Sequence, residues 1–161
     1  MMFDEFDKEC MTVALTEAKR AYQLGEVPVG AVLVLDNKII SRAHNLVETN
    51  KDATAHAEIL CMKAATKQID DWRLCNSTLY VTLEPCSMCA GAAILSRLKR
   101  IVFGADDLRH GAAGSWVNLF KKKHPIHQIE IISGLMKDES KQLMQNFFKE
   151  RREWKKKFLK S

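Results

Sequence analysis

The chain has 161 residues, 47% hydrophobic and 28% charged, with a formal net charge of +5. That length suits one domain with its own core, and seven glycines and three prolines exclude collagen-like and low-complexity classes. No apolar run approaches the ~18 residues a spanning helix needs, and Met1–Asp7 is acidic without a basic n-region, so a cytoplasmic protein with no membrane partner is expected.

Asp4 to Leu24 reads as a helix, because apolar side chains recur at Cys10, Met11, Ala14, Leu15, Ala18, Ala21 and Tyr22, and Gly25 can stop it. Val29–Leu35 is a β-branched-rich run, Asp36-Asn37 a turn pair and Lys38–Ser41 a returning strand, which together predict a hairpin. Arg42–Lys51 reads as polar loop. Thr54–Lys67 has helical spacing, with Asp52 or Thr54 as N-cap. Thr78–Leu83 is a strand that Glu84-Pro85 breaks, and Cys86–Ser96 follows as a small-residue helix. Arg100–Phe103 is a short strand ended by Gly104, Gly104–Gly114 is loop, and Ile126–Ser133 is the last strand. Asp138–Lys160 closes the chain as a basic helix. Leu143, Phe147, Trp154 and Phe158 share one stripe of it, which predicts that Trp154 and Phe158 pack onto the body. The order α-β-β-α-β-α-β-β-α predicts an α/β fold over residues 1–161, a three-layer α/β/α sandwich around one mixed five-stranded sheet.

Charge is unevenly spread. Residues 1–120 carry a net −2 and residues 121–161 a net +7. Two readings are open, a solvated helix with a frayed end or a surface for an anionic partner. After Glu150 the cations are Arg151, Arg152, Lys155, Lys156, Lys157 and Lys160, against Glu153 alone.

Five cysteines, at 10, 61, 75, 86 and 89, are an odd number in a chain that reads as cytoplasmic, so metal binding or catalysis is the better prior for a close pair. Cys86 and Cys89 are three apart at a helix start, where their sulfurs converge and backbone N–H groups favour thiolate. With the imidazole of His56 they make a soft donor set suited to Zn²⁺. Three protein ligands leave a position for water, whose pKa zinc lowers to about 7, and so point to catalysis. Glu58 follows His56 by two and is suited to the water and substrate side, as a proton carrier. Two other readings of the same residues stay open. Cys86 and Cys89 could be a thiol-redox pair, or a closed structural zinc site could recruit Cys61 or Cys75. His44, His110, His124 and His127 read as surface or loop histidines.

H-x-E followed by P-C-x-x-C is the signature of zinc nucleobase deaminases. The likeness extends to Glu26–Val32, Asn45, Asp52–Glu58, Thr82–Ala92, Val102–Ala105, Gly111–Ser115 and Phe147–Arg152, over which the chain resembles the tRNA-specific adenosine deaminases of bacteria. The resemblance implies a cytidine-deaminase-like fold and zinc-dependent conversion of adenosine to inosine at the wobble position of a tRNA anticodon. It implies His56, Cys86 and Cys89 as ligands of one Zn²⁺ per subunit and Glu58 as proton shuttle. It further implies that Asn45 contacts the flipped base, that Asp107 contacts its ribose or neighbouring nucleotides, and that a homodimer borders the site. With an anticodon stem-loop as partner, Arg151, Arg152, Lys155, Lys156 and Lys157 become candidates for the RNA backbone. The alternative is a free-base, nucleoside or nucleotide deaminase of cytosine or guanine type. Two departures stand out, Ala53 where many members carry proline and the variable stretch Lys121–His124.

Overall fold

The computed structural model describes residues 2–159; Lys160 lies outside them. Helix α1, Glu5–Gln23, starts with a reciprocal cap. The Asp4 carboxylate accepts the Asp7 N–H at 2.7 Å, and Asp7 Oδ2 accepts the Asp4 N–H at 3.1 Å. Gly25, at φ +76°, turns the chain after it. Strand β1, Gly30–Leu35, passes so close beneath α1 that a Cβ on Gly30 would lie 1.9 Å from the Ala14 carbonyl oxygen. Asp36 and Asn37 both take positive φ, the two-residue turn that matches strand twist, and return the chain as β2, Lys38–His44. β2 runs past the expected end at Ser41, because Arg42, Ala43 and His44 stay in register with Val32, Ala31 and Gly30.

The expected loop 42–51 therefore gives up three residues to β2 and four to a single helical turn, α2, Val47–Asn50. Helix α3, Ala57–Ile69, starts later than Thr54. Thr54 instead closes a turn on Asp52, donating both its N–H (2.8 Å) and its hydroxyl (2.7 Å) to that carboxylate. Strand β3, Thr78–Leu83, and helix α4, Ser87–Leu95, follow. Strand β4 is Arg100–Ala105, so Gly104 lies inside it rather than ending it. A Cβ there would sit 2.6 Å from Ser140 Oγ, so the glycine is what lets the last helix approach the sheet. Strand β5 is confined to Glu130–Ser133. Its expected first residues are turned instead by His124, whose Nδ1 accepts the N–H groups of Ile126 and His127. Helix α5 spans Lys137–Phe158.

The sheet order is β2-β1-β3-β4-β5, antiparallel from β2 to β3 and parallel from β3 to β5. Alternation along the central strands assigns their side chains to two cores. Ala31, Leu33, Leu79, Val81, Ile101 and Phe103 pack with α3 and α4, whereas Val32, Val34, Tyr80 and Val102 pack with α1 and with Leu135 and Met136 just before α5. This is the expected three-layer α/β/α arrangement around a mixed five-stranded sheet. A buried polar link crosses the α1 side. Tyr80 Oη donates to Asp7 Oδ1 at 2.7 Å and the Arg100 guanidinium donates to the same oxygen at 2.5 Å. Among the described residues, no helix is long and apolar enough to cross a membrane.

One expectation about α5 fails. Phe147 is buried and meets Tyr22 edge-on at 5.6 Å, but Trp154 and Phe158 are 53% and 57% exposed. The body ends near Arg151, and the stripe continues past it into solvent.

Candidate active site

Helices α3 and α4 both begin beside a single cleft. His56 and Cys86 are their N-cap residues, with closely similar extended backbones (φ −73°, ψ 150° and φ −74°, ψ 174°). Neither side chain caps its own helix, so both are free to turn toward the site. Cys89, one turn into α4, is buried behind them. His56 Nδ1 lies 3.6 Å from Cys86 Sγ and 3.6 Å from Cys89 Sγ. Zn–S near 2.3 Å and Zn–N near 2.0–2.1 Å at tetrahedral angles separate N from S by about 3.6 Å, so the donor set has the spacing zinc requires. Among the described residues these three form the group of potential metal ligands. Cys61 is buried against Ser41 and Cys75 is exposed, so neither joins it.

The charges agree with a cation-ready site. A hydrogen bond from Cys89 holds the Cys86 thiol down to about 4, against the effect of burial and with help from His56. The hydrogen bond with Cys86, burial and the carboxylate of Glu58 push the Cys89 thiol upward, and a bound cation would favour both thiolates together. The Cys86 hydrogen bond raises the His56 imidazole. Burial likewise raises the Glu58 carboxyl, which is 4% exposed and forms part of the cleft wall.

The cleft encloses about 970 Å³. Asn45, His56, Glu58, Cys86 and Asp107 line it, and Arg151, Arg152 and Lys155 of α5 line its basic edge. Asn45 is buried and donates through Nδ2 to the Val27 carbonyl at 3.4 Å, while its Oδ1 has no partner among the described residues. Such a buried, unsatisfied acceptor facing a cleft is open to a ligand N–H. Asp107 spends Oδ1 on its own loop, accepting the N–H groups of Arg109 (3.1 Å) and His110 (3.2 Å). Arg151 donates to the Gly25 carbonyl and so also tethers α5 to the end of α1. Lys156 and Lys157 lie outside the cleft lining. His44 faces away, bonded to Glu17 Oε2 at 2.7 Å, and His127 is held by the Leu98 carbonyl at 2.5 Å. His110 stands exposed at the cleft.

Two buried carboxylates escape a motif reading. Glu26 accepts the N–H groups of Glu48 (3.0 Å) and Thr49 (2.7 Å) and the Thr49 hydroxyl (2.7 Å), which anchors the turn after Asn45. Glu84 accepts from the Asp107, Ala113 and Ser115 N–H groups and from the Ser115 hydroxyl, which ties loop 106–115 to the residue before Pro85. Neither has a local signal in the sequence, because the groups each one holds lie 22 to 31 residues further along the chain.

A deaminase family model, described as MafB19-like deaminase, matches residues 5–152. A tRNA-specific adenosine deaminase of Bacillus subtilis is 49% identical over 150 residues, 93% of each chain. One from Haemophilus influenzae is 50% identical over 153 residues, 94% of this chain and 88% of that one. A solved structure from a study of A-to-I editing by tRNA:A34 deaminases at the wobble position superposes with a TM-score of 0.81 at 42% identity, covering 84% of this chain and 98% of that one. With near-full coverage at these identities, and with the donor set, the buried glutamate and the sheet order in place, the chain belongs to the family of tRNA-specific adenosine deaminases.

Proposed function

We propose that the chain, as one deaminase domain, hydrolyses the 6-amino group of the wobble adenosine in a tRNA anticodon, leaving inosine and ammonia. The observation that carries this reading is the buried Glu58 beside a His-Cys-Cys set at 3.6 Å spacing, in a cleft with a cationic edge. His56, Cys86 and Cys89 would hold zinc, which when bound supplies an acidic water at the position the protein leaves open.

The protein's own groups account for the rest. Glu58, desolvated and raised, carries one proton of the attacking water to N1 of the purine and then the remaining hydroxyl proton to the departing amine. The water oxygen adds to C6 first, and the C6–N bond breaks in the following step as the protonated amine leaves as ammonia. Asn45 Oδ1 accepts a hydrogen bond from the bound nucleoside and so fixes the ring against Glu58. The second carboxylate oxygen of Asp107 is free for a ribose hydroxyl. Arg152 and Lys155 bind backbone phosphate along the cleft edge. An anticodon loop suits this geometry because its bases are already unpaired, which lowers the cost of extrusion.

The protein acts in the cytoplasm as a homodimer. Support for the dimer comes from Leu95, Leu108 and Trp116, apolar side chains 60% or more exposed around α4 and the loop that walls the cleft. The test is incubation with an anticodon stem-loop bearing the wobble adenosine, and separately with free adenosine, cytosine and guanine. Inosine and ammonia from the stem-loop alone are expected. Turnover of a free base or nucleoside with none on RNA overturns the reading.

A further inference from the structure

The last two turns of α5 carry an aromatic stripe that lies outside the cleft lining. Every residue from Arg151 to Leu159 is exposed. Trp154 and Phe158 are one helical turn apart, on the face that Phe147 begins and buries. Their ring centroids lie 5.4 Å apart at an interplanar angle of 36°. Arg151 and Lys155 border the pair on one side and also line the cleft, so the two surfaces are continuous. On the other side Lys157 Nζ sits 5.5 Å from the Phe158 ring centroid.

Two half-exposed aromatic side chains within a rim of cations match an unpaired nucleobase on its phosphate backbone, where aromatic rings stack and cations neutralise. We infer that Trp154 and Phe158 form a stacking platform for an unpaired base of the tRNA outside the deamination cleft, an inference that rests on the tRNA reading of that cleft. A second copy of the chain is a poor occupant, since self-pairing would oppose two clusters each holding Arg151, Arg152, Lys155, Lys156 and Lys157. A lipid surface is also a poor occupant. Interfacial helices bury a broad apolar face, and here two aromatic side chains and Leu159 stand among charges that include Glu150 and Glu153.

The test uses the zinc-loaded full chain and a tRNA transcript with a wobble adenosine, with affinity measured at several salt concentrations. Trp154→Ala combined with Phe158→Ala should weaken binding roughly five- to 150-fold, the range for loss of one stacked base. The salt slope should stay unchanged, because the phosphate contacts remain. Trp154→Phe should bind within about twofold of the parent, and Trp154→Leu should lose stacking on that ring while keeping its apolar bulk. Equal affinity in the double variant overturns the platform, as does full affinity in Trp154→Leu. A flatter salt slope in the double variant also overturns it, because the helix would then have moved. So does loss of self-association, or of binding to phosphatidylserine vesicles, with tRNA affinity intact. If the parent binds tRNA with this pattern but forms no inosine, the deaminase reading falls and the platform stands.

Discussion

Glu84 Oε1 accepts the backbone N–H of Asp107 at 3.2 Å, joining the loop that walls the cleft to the segment that carries Cys86. The same carboxylate holds Ala113 and Ser115, and a Cβ on Gly111 would fall 2.2 Å from its Oε2. Glu84→Gln halves the acceptor capacity and should destabilise the protein by about 2–3 kcal/mol, since hydrogen bonds to a charged group contribute about 1.5–3 kcal/mol each. Hydrogen exchange should show the amides of residues 106–115 losing protection first. Unchanged exchange there would mean that the loop is held by other contacts.

Glu58 and the donor set separate chemistry from metal retention. Glu58→Gln should lower turnover by about 10²- to 10⁴-fold, with metal content equal to the parent. Cys86→Ser and Cys89→Ser should lose both metal and activity. Cys61→Ala should keep both, because its sulfur is buried against Ser41 rather than in the donor set. Metal analysis of the purified variants decides. Loss of metal in Glu58→Gln would make the carboxylate a ligand.

Asn45→Ala removes an acceptor that has no partner within the described residues, so folding should be preserved while substrate contact is lost. The expected fall in kcat/KM on a stem-loop is about five- to 150-fold, from a contact worth roughly 1–3 kcal/mol. An unchanged kcat/KM would return Asn45 to a purely local role.

Asp7 sets a pH dependence of stability far from the cleft. Burial raises its carboxyl, but hydrogen bonds from Tyr80, the Asp4 backbone and Arg100 outweigh that and hold it below the ordinary value of 3.8. A carboxyl depressed in the folded state adds stability above its unfolded pKa, and that stability fades as pH falls through the folded value. Asp7→Asn should therefore cost about 3 kcal/mol at pH 7, the low end for breaking a buried pair, because Arg100 keeps some contact with water. The gap between the two proteins should narrow below pH 4. Denaturant melts at pH 7 and pH 3 measure it, and an equal gap at both would exclude the link as its source.

The cations of α5 should not act alike. Arg152→Gln with Lys155→Gln should flatten the salt dependence of tRNA binding by about 1.4 units of slope, two contacts at about 0.7 each. Lys156→Gln with Lys157→Gln should change the slope less, since neither lines the cleft. Arg151→Gln should in addition loosen α5 from the Gly25 carbonyl, visible as faster exchange at the end of α1. Equal slopes for both pairs would mean that the whole outer face meets the RNA.

The metal-ligand candidates and the glutamate proposed as proton carrier were legible in the sequence because their geometry is local. A helix start sets the directions of its N-cap and first-turn side chains, so H-x-E and P-C-x-x-C announce a donor set before any fold is known. The Asp36-Asn37 turn is local in the same sense, since its backbone angles depend on two residues. Other features depend on distant chain. β2 reaches His44 only because Gly30 and its neighbours lie opposite, and Gly104 is a strand residue only because Ser140 must come close. Glu26 and Glu84 look like ordinary surface carboxylates until the loops they hold, 22 to 31 residues further on, fold over them. Trp154 and Phe158 have the periodicity of a buried stripe, but periodicity says which side chains share a face and not where the body beneath that face ends. That limit is set by the tertiary packing of α5 on α1 and the sheet, and it turned two expected core residues into a surface.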